Sequence, residues 1–145
     1  MPHLVILYPA NLDAPGGTEM APLCRALADT MIAQRDEDGQ PVFPPGGVRV
    51  LAYPGAHCAI ADGGAAGHAA GGTGDYAFVY LHLRMARGRS TATQQKVGHA
   101  LDDVVKHHFA ALLTTRHIGI TLQINEGHEV FDAKTSSLHP LFLEA

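Results

Sequence analysis

The sequence is poor in the features that mark several common classes of protein. Its 145 residues include only two cysteines, Cys24 and Cys58, which show no CxxC or zinc-type spacing. We therefore expect free thiols rather than a disulfide framework or a zinc site. The formal net charge is −4 with neutral histidines, and no long basic run occurs. Nucleic acid is thus not an expected partner.

Segments that would direct the chain to a membrane are missing as well. The apolar run near the start covers residues 4–8, which is far too short to cross a bilayer. No basic segment followed by an apolar stretch and a cleavage site marks a signal peptide. We therefore expect a cytoplasmic protein without a membrane partner.

Composition indicates one globular domain covering residues 1–145. Hydrophobic residues make up 46% and charged residues 17% of the chain, which is typical of a protein with a packed core. The ten histidines are scattered, apart from the adjacent His107 and His108. Because neighbours in sequence do not share one face of a helix, the histidines predict no metal site.

The first half of the chain predicts a strand, a helix and a second strand. The apolar run 3–8 is typical of a strand, residues 18–34 of a helix, and residues 48–53 of a strand that ends at Pro54. Apolar residues in the helix recur at spacings of three and four, which predicts one buried stripe. The stripe contains Met20, Leu23, Cys24, Leu27 and Met31.

The second half repeats this order. Residues 75–85 predict a strand that is rich in aromatic and β-branched side chains, and residues 118–124 predict a fourth strand. The long helix between them is predicted to begin at Ser90 or Thr91, with Thr91 and Gln94 forming a capping box. Its predicted buried stripe contains Val97, Leu101, Val104, Val105, His108 and Leu112.

The two halves, residues 2–53 and 75–126, indicate an internal duplication. A crossover helix makes the two strands of each unit parallel. The predicted fold is therefore α/β (α+β), a duplicated βαβ unit that forms a four-stranded sheet with two helices on one face. The other face carries apolar side chains and must meet another subunit, which predicts an oligomer.

Residues 54–74 form a Gly- and Ala-rich insertion between the two halves. We interpret this insertion as a long, partly mobile hairpin loop. It has neither a GK[ST] motif nor a strand-to-helix GxGxxG motif, so its glycines do not predict a phosphate site. A metal site remains the alternative interpretation of its polar residues His57, Cys58, Asp62 and His68.

Three features together resemble a known family. They are the start MPHLVI, the duplicated unit and the block DYAFVYLHLRMARGRS, which runs from Asp75 to Ser90. The chain is similar to the 5-carboxymethyl-2-hydroxymuconate isomerase family of the tautomerase superfamily. The similarity extends to GGVRV, HFAAL and the tail pattern His139-Pro140-Leu141-Phe142. The length of the insertion and the presence of His82 depart from the family pattern.

The resemblance implies a homotrimer that needs no cofactor. It also implies that Met1 is removed and that Pro2, as the N-terminal amine, is the catalytic base. The implied reaction converts the dienol 5-carboxymethyl-2-hydroxymuconate to its unsaturated ketone during homoprotocatechuate degradation. A general base works best when its pKa lies near the working pH, and burial or nearby positive charge lowers the pKa of an amine towards that range.

The substrate that the resemblance implies is a small polycarboxylate, for which arginine is the natural ligand. Arg49 and Arg89 match arginines of the family and are predicted to bind the substrate and stabilise its developing negative charge. Arg87 is a further predicted substrate-binding residue. Two other functions stay open. One is a related tautomerase that acts on another 2-hydroxydienoate or an enolisable keto acid such as phenylpyruvate. The other is a non-catalytic oligomer that binds a small acidic metabolite.

Overall fold

The computed structural model describes residues 1–143 and contains a four-stranded sheet with two long helices on one face. The strands are β1 (His3–Pro9), β2 (Arg49–Gly55), β3 (Ala77–Ala86) and β4 (Ile118–Gly127). The helices are α1 (Met20–Ala33), the short α2 (Ala65–Ala69) and α3 (Thr91–Thr115). Single 3₁₀ turns cover Ala10–Leu12, Pro45–Gly47 and His139–Phe142. Residues 144 and 145 of the predicted domain lie outside the described residues.

The strand order is β2-β1-β3-β4. β1 pairs with β2 in parallel and β3 pairs with β4 in parallel, whereas the central pair β1 and β3 is antiparallel. Each strand–helix–strand unit thus supplies one parallel pair, and the two units meet at the centre of the sheet. This arrangement confirms the predicted tautomerase-like fold and its duplication.

The core lies between the sheet and the two long helices. Alternate strand residues, such as Leu4, Ile6 and Leu81, are fully buried there because successive side chains of a strand point to opposite faces. The predicted stripe of α1 is buried, except that Cys24 is only half-buried. In α3 the buried residues are Thr93, Val97, Leu101, Val105 and Phe109. Their strict spacing of four gives a narrower stripe than predicted, so Val104, His108 and Leu112 are half-buried at its edge.

The start of α3 differs from the predicted capping box. Ser90 is the N-cap, since its Oγ accepts a hydrogen bond from the backbone N–H of Thr93 at 3.0 Å. Thr91 therefore lies inside the helix, and the Thr91–Gln94 box is wrong. The Nε2 of Gln94 donates instead to the carbonyl of Arg89 at 3.1 Å.

The strand β2 also ends later than predicted. It continues through Pro54 to Gly55, although proline has no N–H for a sheet hydrogen bond. β2 lies at the edge of the sheet and pairs only with β1, and edges are where proline is tolerated in sheets.

The insertion is not a hairpin loop. The strands that it connects, β2 and β3, are separated by β1, so the segment crosses over the end of β1 and contains α2. The Asp62 carboxylate accepts hydrogen bonds from the backbone N–H groups of Ala66 at 2.8 Å and Gly64 at 3.0 Å. These bonds hold the pKa of Asp62 below its usual value. Among residues 1–143, no group of three His, Cys, Asp or Glu side chains is placed to hold a metal ion.

The face of the sheet opposite the helices is uncovered in the single chain. Its apolar part includes Leu7, Leu51, Tyr53 and Phe78, all between 42% and 49% exposed. The neighbouring part is polar, and the Nε2 of His82 lies 2.7 Å from the Oδ1 of Asn125. His82, which departs from the family pattern, is therefore a residue of this open face.

No helix within residues 1–143 combines the length and apolar character that crossing a membrane requires.

Candidate active site

Pro2 is buried immediately before β1. The turn Pro45–Gly47 packs closely against it, because a Cβ on Gly47 would lie only 3.5 Å from the Cδ of Pro2 and 3.2 Å from the Cγ of Pro44. The contact with Pro2 is an ordinary van der Waals distance, and the tight one is with Pro44 inside the turn itself. The nitrogen of Pro2 is held in a defined position at one end of the sheet.

A small cavity of about 130 Å³ opens beside Pro2. Part of its wall is apolar and comes from Met1, Phe43, Pro44, Met85 and Ala86; the rest comes from Pro2, Arg89, Lys134 and His139. Among residues 1–143, no aspartate or glutamate lines the cavity. The surroundings of Pro2 are therefore apolar and cationic, which is the combination that disfavours a protonated amine.

Arg89 lies beside this cavity and is held from several sides. Its Nε and Nη2 atoms donate to the carbonyl of Val42 at 3.3 and 2.7 Å, and its Nη1 atom donates to the carbonyl of Ala86 at 3.0 Å. The guanidinium carbon lies 5.7 Å from the centre of the Phe43 ring, within range of a cation–π contact. A guanidinium carries five N–H donors, so two remain for a ligand.

Arg49 is close to the N-terminus but does not line the same cavity. Its Nη1 atom donates to the Sδ of Met1 at 3.2 Å and to the carbonyl of Gly47 at 3.1 Å. Met1 itself lines the Pro2 cavity. Loss of Met1 would consequently enlarge the cavity and release one donor of Arg49.

The positive charge around the N-terminus affects a neighbouring histidine. The sheet register pairs His3 with Arg49 on one side and with Arg84 on the other. Burial, then Arg49, the N-terminal amine and Arg84 lower the pKa of His3. His3 thus lies in a local field of positive charge that favours its neutral form.

Arg87 lies apart from this group. It is exposed, and its Nη1 atom lies 2.9 Å from the Nδ1 of His128. It does not line the Pro2 cavity. The structure thus places Pro2 and Arg89 together, Arg49 next to them through Met1, and Arg87 outside the cavity.

Two polar lining residues were not among the predicted site residues. Lys134 and His139 reach the cavity from the tail of the chain. The tail pattern was part of the family resemblance, but nothing in its spacing predicts contact with Pro2. Their position depends on how the last 3₁₀ turn packs, which is a property of the folded chain.

Comparison with known proteins agrees with this geometry. Residues 2–142 match the sequence model of the family described as 5-carboxymethyl-2-hydroxymuconate isomerase. The chain belongs to this family. The match covers the described chain from Pro2, the first residue of the candidate site, to the last 3₁₀ turn.

Individual relatives of the isomerase family support the assignment. The chain is 37% identical over 73 residues to the 5-carboxymethyl-2-hydroxymuconate Delta-isomerase of Escherichia coli, a match that covers 50% of this chain and 58% of that protein. The matched region thus spans little more than half the length of this curated relative. One solved structure of a 5-carboxymethyl-2-hydroxymuconate delta-isomerase is 53% identical and superposes with a TM-score of 0.94 over 100% of this chain and 95% of the other. A 5-carboxymethyl-2-hydroxymuconate isomerase from Deinococcus radiodurans R1 is 30% identical, with a TM-score of 0.78 over 97% and 93% of the two chains.

Proposed function

We propose that the protein is a cytoplasmic, homotrimeric isomerase that converts 5-carboxymethyl-2-hydroxymuconate to its unsaturated ketone. The observation that carries the proposal is the position of Pro2, which is buried at the start of β1 beside a partly apolar cavity that Arg89 and Lys134 also line. Family membership supplies the class of reaction. The basic residues at the site suit a substrate that carries several carboxylates.

The chemistry requires one group that accepts a proton and returns it. After removal of Met1, the secondary amine of Pro2 takes the proton of the 2-hydroxyl group of the dienol. The electron pair of the O–H bond forms the carbonyl, the conjugated double bonds shift, and a distant carbon receives a proton. All atoms and electrons balance within the substrate, so the proposal requires no cofactor.

Arg89 and Arg49 have different parts in this proposal. Arg89 is fixed to the carbonyls of Val42 and Ala86, so its charge is preorganised beside the reacting group, where it stabilises the developing enolate oxygen. Arg49 loses its Met1 partner when Pro2 becomes the N-terminus. Its free donor then binds a carboxylate of the substrate.

The test compares two preparations of the protein whose N-termini are verified by intact-mass measurement. One begins at Pro2, and the other carries an N-terminal extension that keeps the Pro2 nitrogen as an amide. We expect isomerisation of the dienol only by the first. Equal activity of both would refute the proline mechanism. Activity only towards other 2-hydroxydienoates or phenylpyruvate would identify a related tautomerase, and binding without turnover would identify a non-catalytic protein.

A further inference from the structure

The last 3₁₀ turn of the described chain forms part of the Pro2 cavity. The turn His139–Phe142 packs on the turn Pro45–Gly47, where a Cβ on Gly46 would lie 3.0 Å from the Cδ2 of Phe142 and 3.2 Å from the Cα of His139. Gly46 thus admits the tail on one side of this turn, while Gly47 faces Pro2 on the other. The tail is brought to the cavity by this pair of glycines.

The two tail residues at the cavity each keep a donor that a ligand can use. The Nδ1 atom of His139 lies 3.0 Å from the Oγ of Ser136, which fixes the ring and leaves Nε2 for another partner. The Nζ of Lys134 is 2.5 Å from the Oδ2 of Asp132, but both side chains are about half-exposed. An exposed ion pair of this kind contributes little to stability, so an anionic ligand can replace Asp132.

We propose that Lys134 and His139 together bind one carboxylate of the substrate, and that Lys134 exchanges Asp132 for it. This inference rests on the proposed function and adds to it. Arg89 acts on the reacting oxygen, whereas the tail holds a carboxylate in the same cavity and selects dicarboxylates over monocarboxylates. Binding a non-reacting group in this way positions the reacting atoms against the base.

The experiment measures binding and turnover separately. Titration calorimetry with the unreactive six-carbon dicarboxylate adipate and the monocarboxylate hexanoate gives affinities, and the dienol assay gives KM and kcat. For Lys134→Gln and His139→Gln we expect adipate to bind roughly tenfold more weakly, because each change removes a charge-assisted hydrogen bond. Hexanoate binding should stay close to that of the unchanged protein, whereas kcat/KM for the dienol should fall together with the affinity for adipate. Asp132→Asn should act in the opposite direction and tighten adipate binding, because it removes the competing carboxylate.

A matched pair on α3 provides the control. Lys106 pairs with Asp102 at 2.6 Å, far from the cavity, so Lys106→Gln should leave the affinity for adipate unchanged. The proposal is overturned if the tail variants weaken the binding of adipate and of hexanoate equally, or if neither variant changes the affinity for adipate. The calorimetric result stands even if the protein turns over no dienol, an outcome that would refute the proposed function and not the binding role of the tail.

Discussion

The guanidinium of Arg49 donates a hydrogen bond to the sulfur of Met1 at 3.2 Å. The residue whose removal the proposed mechanism requires is therefore held by one of the cations predicted to bind substrate. In the chain that begins with Met1, this residue lines the cavity and its thioether uses one donor of Arg49. Exposing the amine, enlarging the cavity and releasing a cation are then consequences of a single cleavage.

Replacing either arginine should separate binding from stability. Arg49→Ala should weaken the binding of a dicarboxylate substrate more than the binding of a monocarboxylate. It should change the free energy of unfolding by no more than about 0.5 kcal/mol. Arg89→Ala should lower kcat and also cost about 1–3 kcal/mol of unfolding free energy, since the carbonyls of Val42 and Ala86 lose a charged donor. Steady-state kinetics and urea unfolding measure the two effects. An Arg89→Ala protein with unchanged stability would show that these hydrogen bonds are not formed in solution.

The uncovered sheet face should hold the subunits together. Light scattering should give about three times the chain mass of 15.3 kDa. Leu7→Glu on the open face should yield folded monomers, because it places a charge in an apolar interface. Leu113→Glu on α3 is the matched control, since Leu7 is 47% and Leu113 is 45% exposed in the single chain. Monomers from unchanged protein, or equal effects of the two variants, would contradict the trimer.

Removing residues 56–72 should leave the sheet intact. Two strand spacings, about 10 Å, separate β2 from β3, and the four remaining residues can reach at most about 14 Å when extended, which is enough to bridge that gap. Asp75 keeps its ion pair with Arg116 at 2.9 Å, which fixes the start of β3. We expect the deleted protein to keep its trimer and its isomerase activity, as measured by light scattering and the dienol assay.

A loss of activity by a deleted protein that remains a trimer would show that the insertion acts on the substrate. Within one chain this is not the expected result, because the insertion leaves the sheet at the end of β1 opposite Pro2. Loss of the trimer would instead make the insertion part of the subunit interface. The segment contributes to an apolar cavity with Leu7, Tyr53 and Phe78 on the open face, so the light-scattering measurement distinguishes these outcomes.

Stability should fall in mildly acidic solution partly through His108. This ring is half-buried, its Nε2 lies 2.8 Å from the Oγ1 of Thr18, and burial followed by the neighbouring His107 lowers its pKa. As pH drops below the ordinary value of 6.5, the unfolded chain binds a proton at this ring more readily than the native protein does. The unfolding free energy therefore decreases as pH falls from 6.5 towards the native pKa.

His108→Gln should reduce this loss between pH 7.5 and 5.5, as measured by urea unfolding at each pH. Glutamine keeps a polar group near Thr18 but does not titrate. His57→Gln is the control, since His57 is exposed in the insertion. Identical pH dependence in the His108 variant and in the unchanged protein would show that this ring does not titrate differently on folding.

Elements whose signal lies within a short stretch of sequence were predictable. Apolar periodicity located the strands and the α1 stripe because burial on one face leaves a local pattern. The insertion was misread because its conformation depends on β1 lying between β2 and β3, which is a relation between distant segments. Pro2 and Arg89 were proposed from the resemblance and line one cavity, whereas the presence of Lys134 and His139 in that cavity required knowledge of how the tail packs on Gly46. The narrow stripe of α3 likewise reflects its packing partner rather than its own sequence.

The two ends of β1 differ in how well they tolerate substitutions and insertions during evolution. At the end near Pro2, a single added methyl group on Gly46 or Gly47 would meet neighbouring atoms within 3.5 Å, so lineages should keep both the length and the residue type there. The other end of this seven-residue strand lies about 20 Å away. There the insertion has room for extra residues. Length variation among descendants of this protein should therefore accumulate between β2 and β3, while the turn before β2 stays constant.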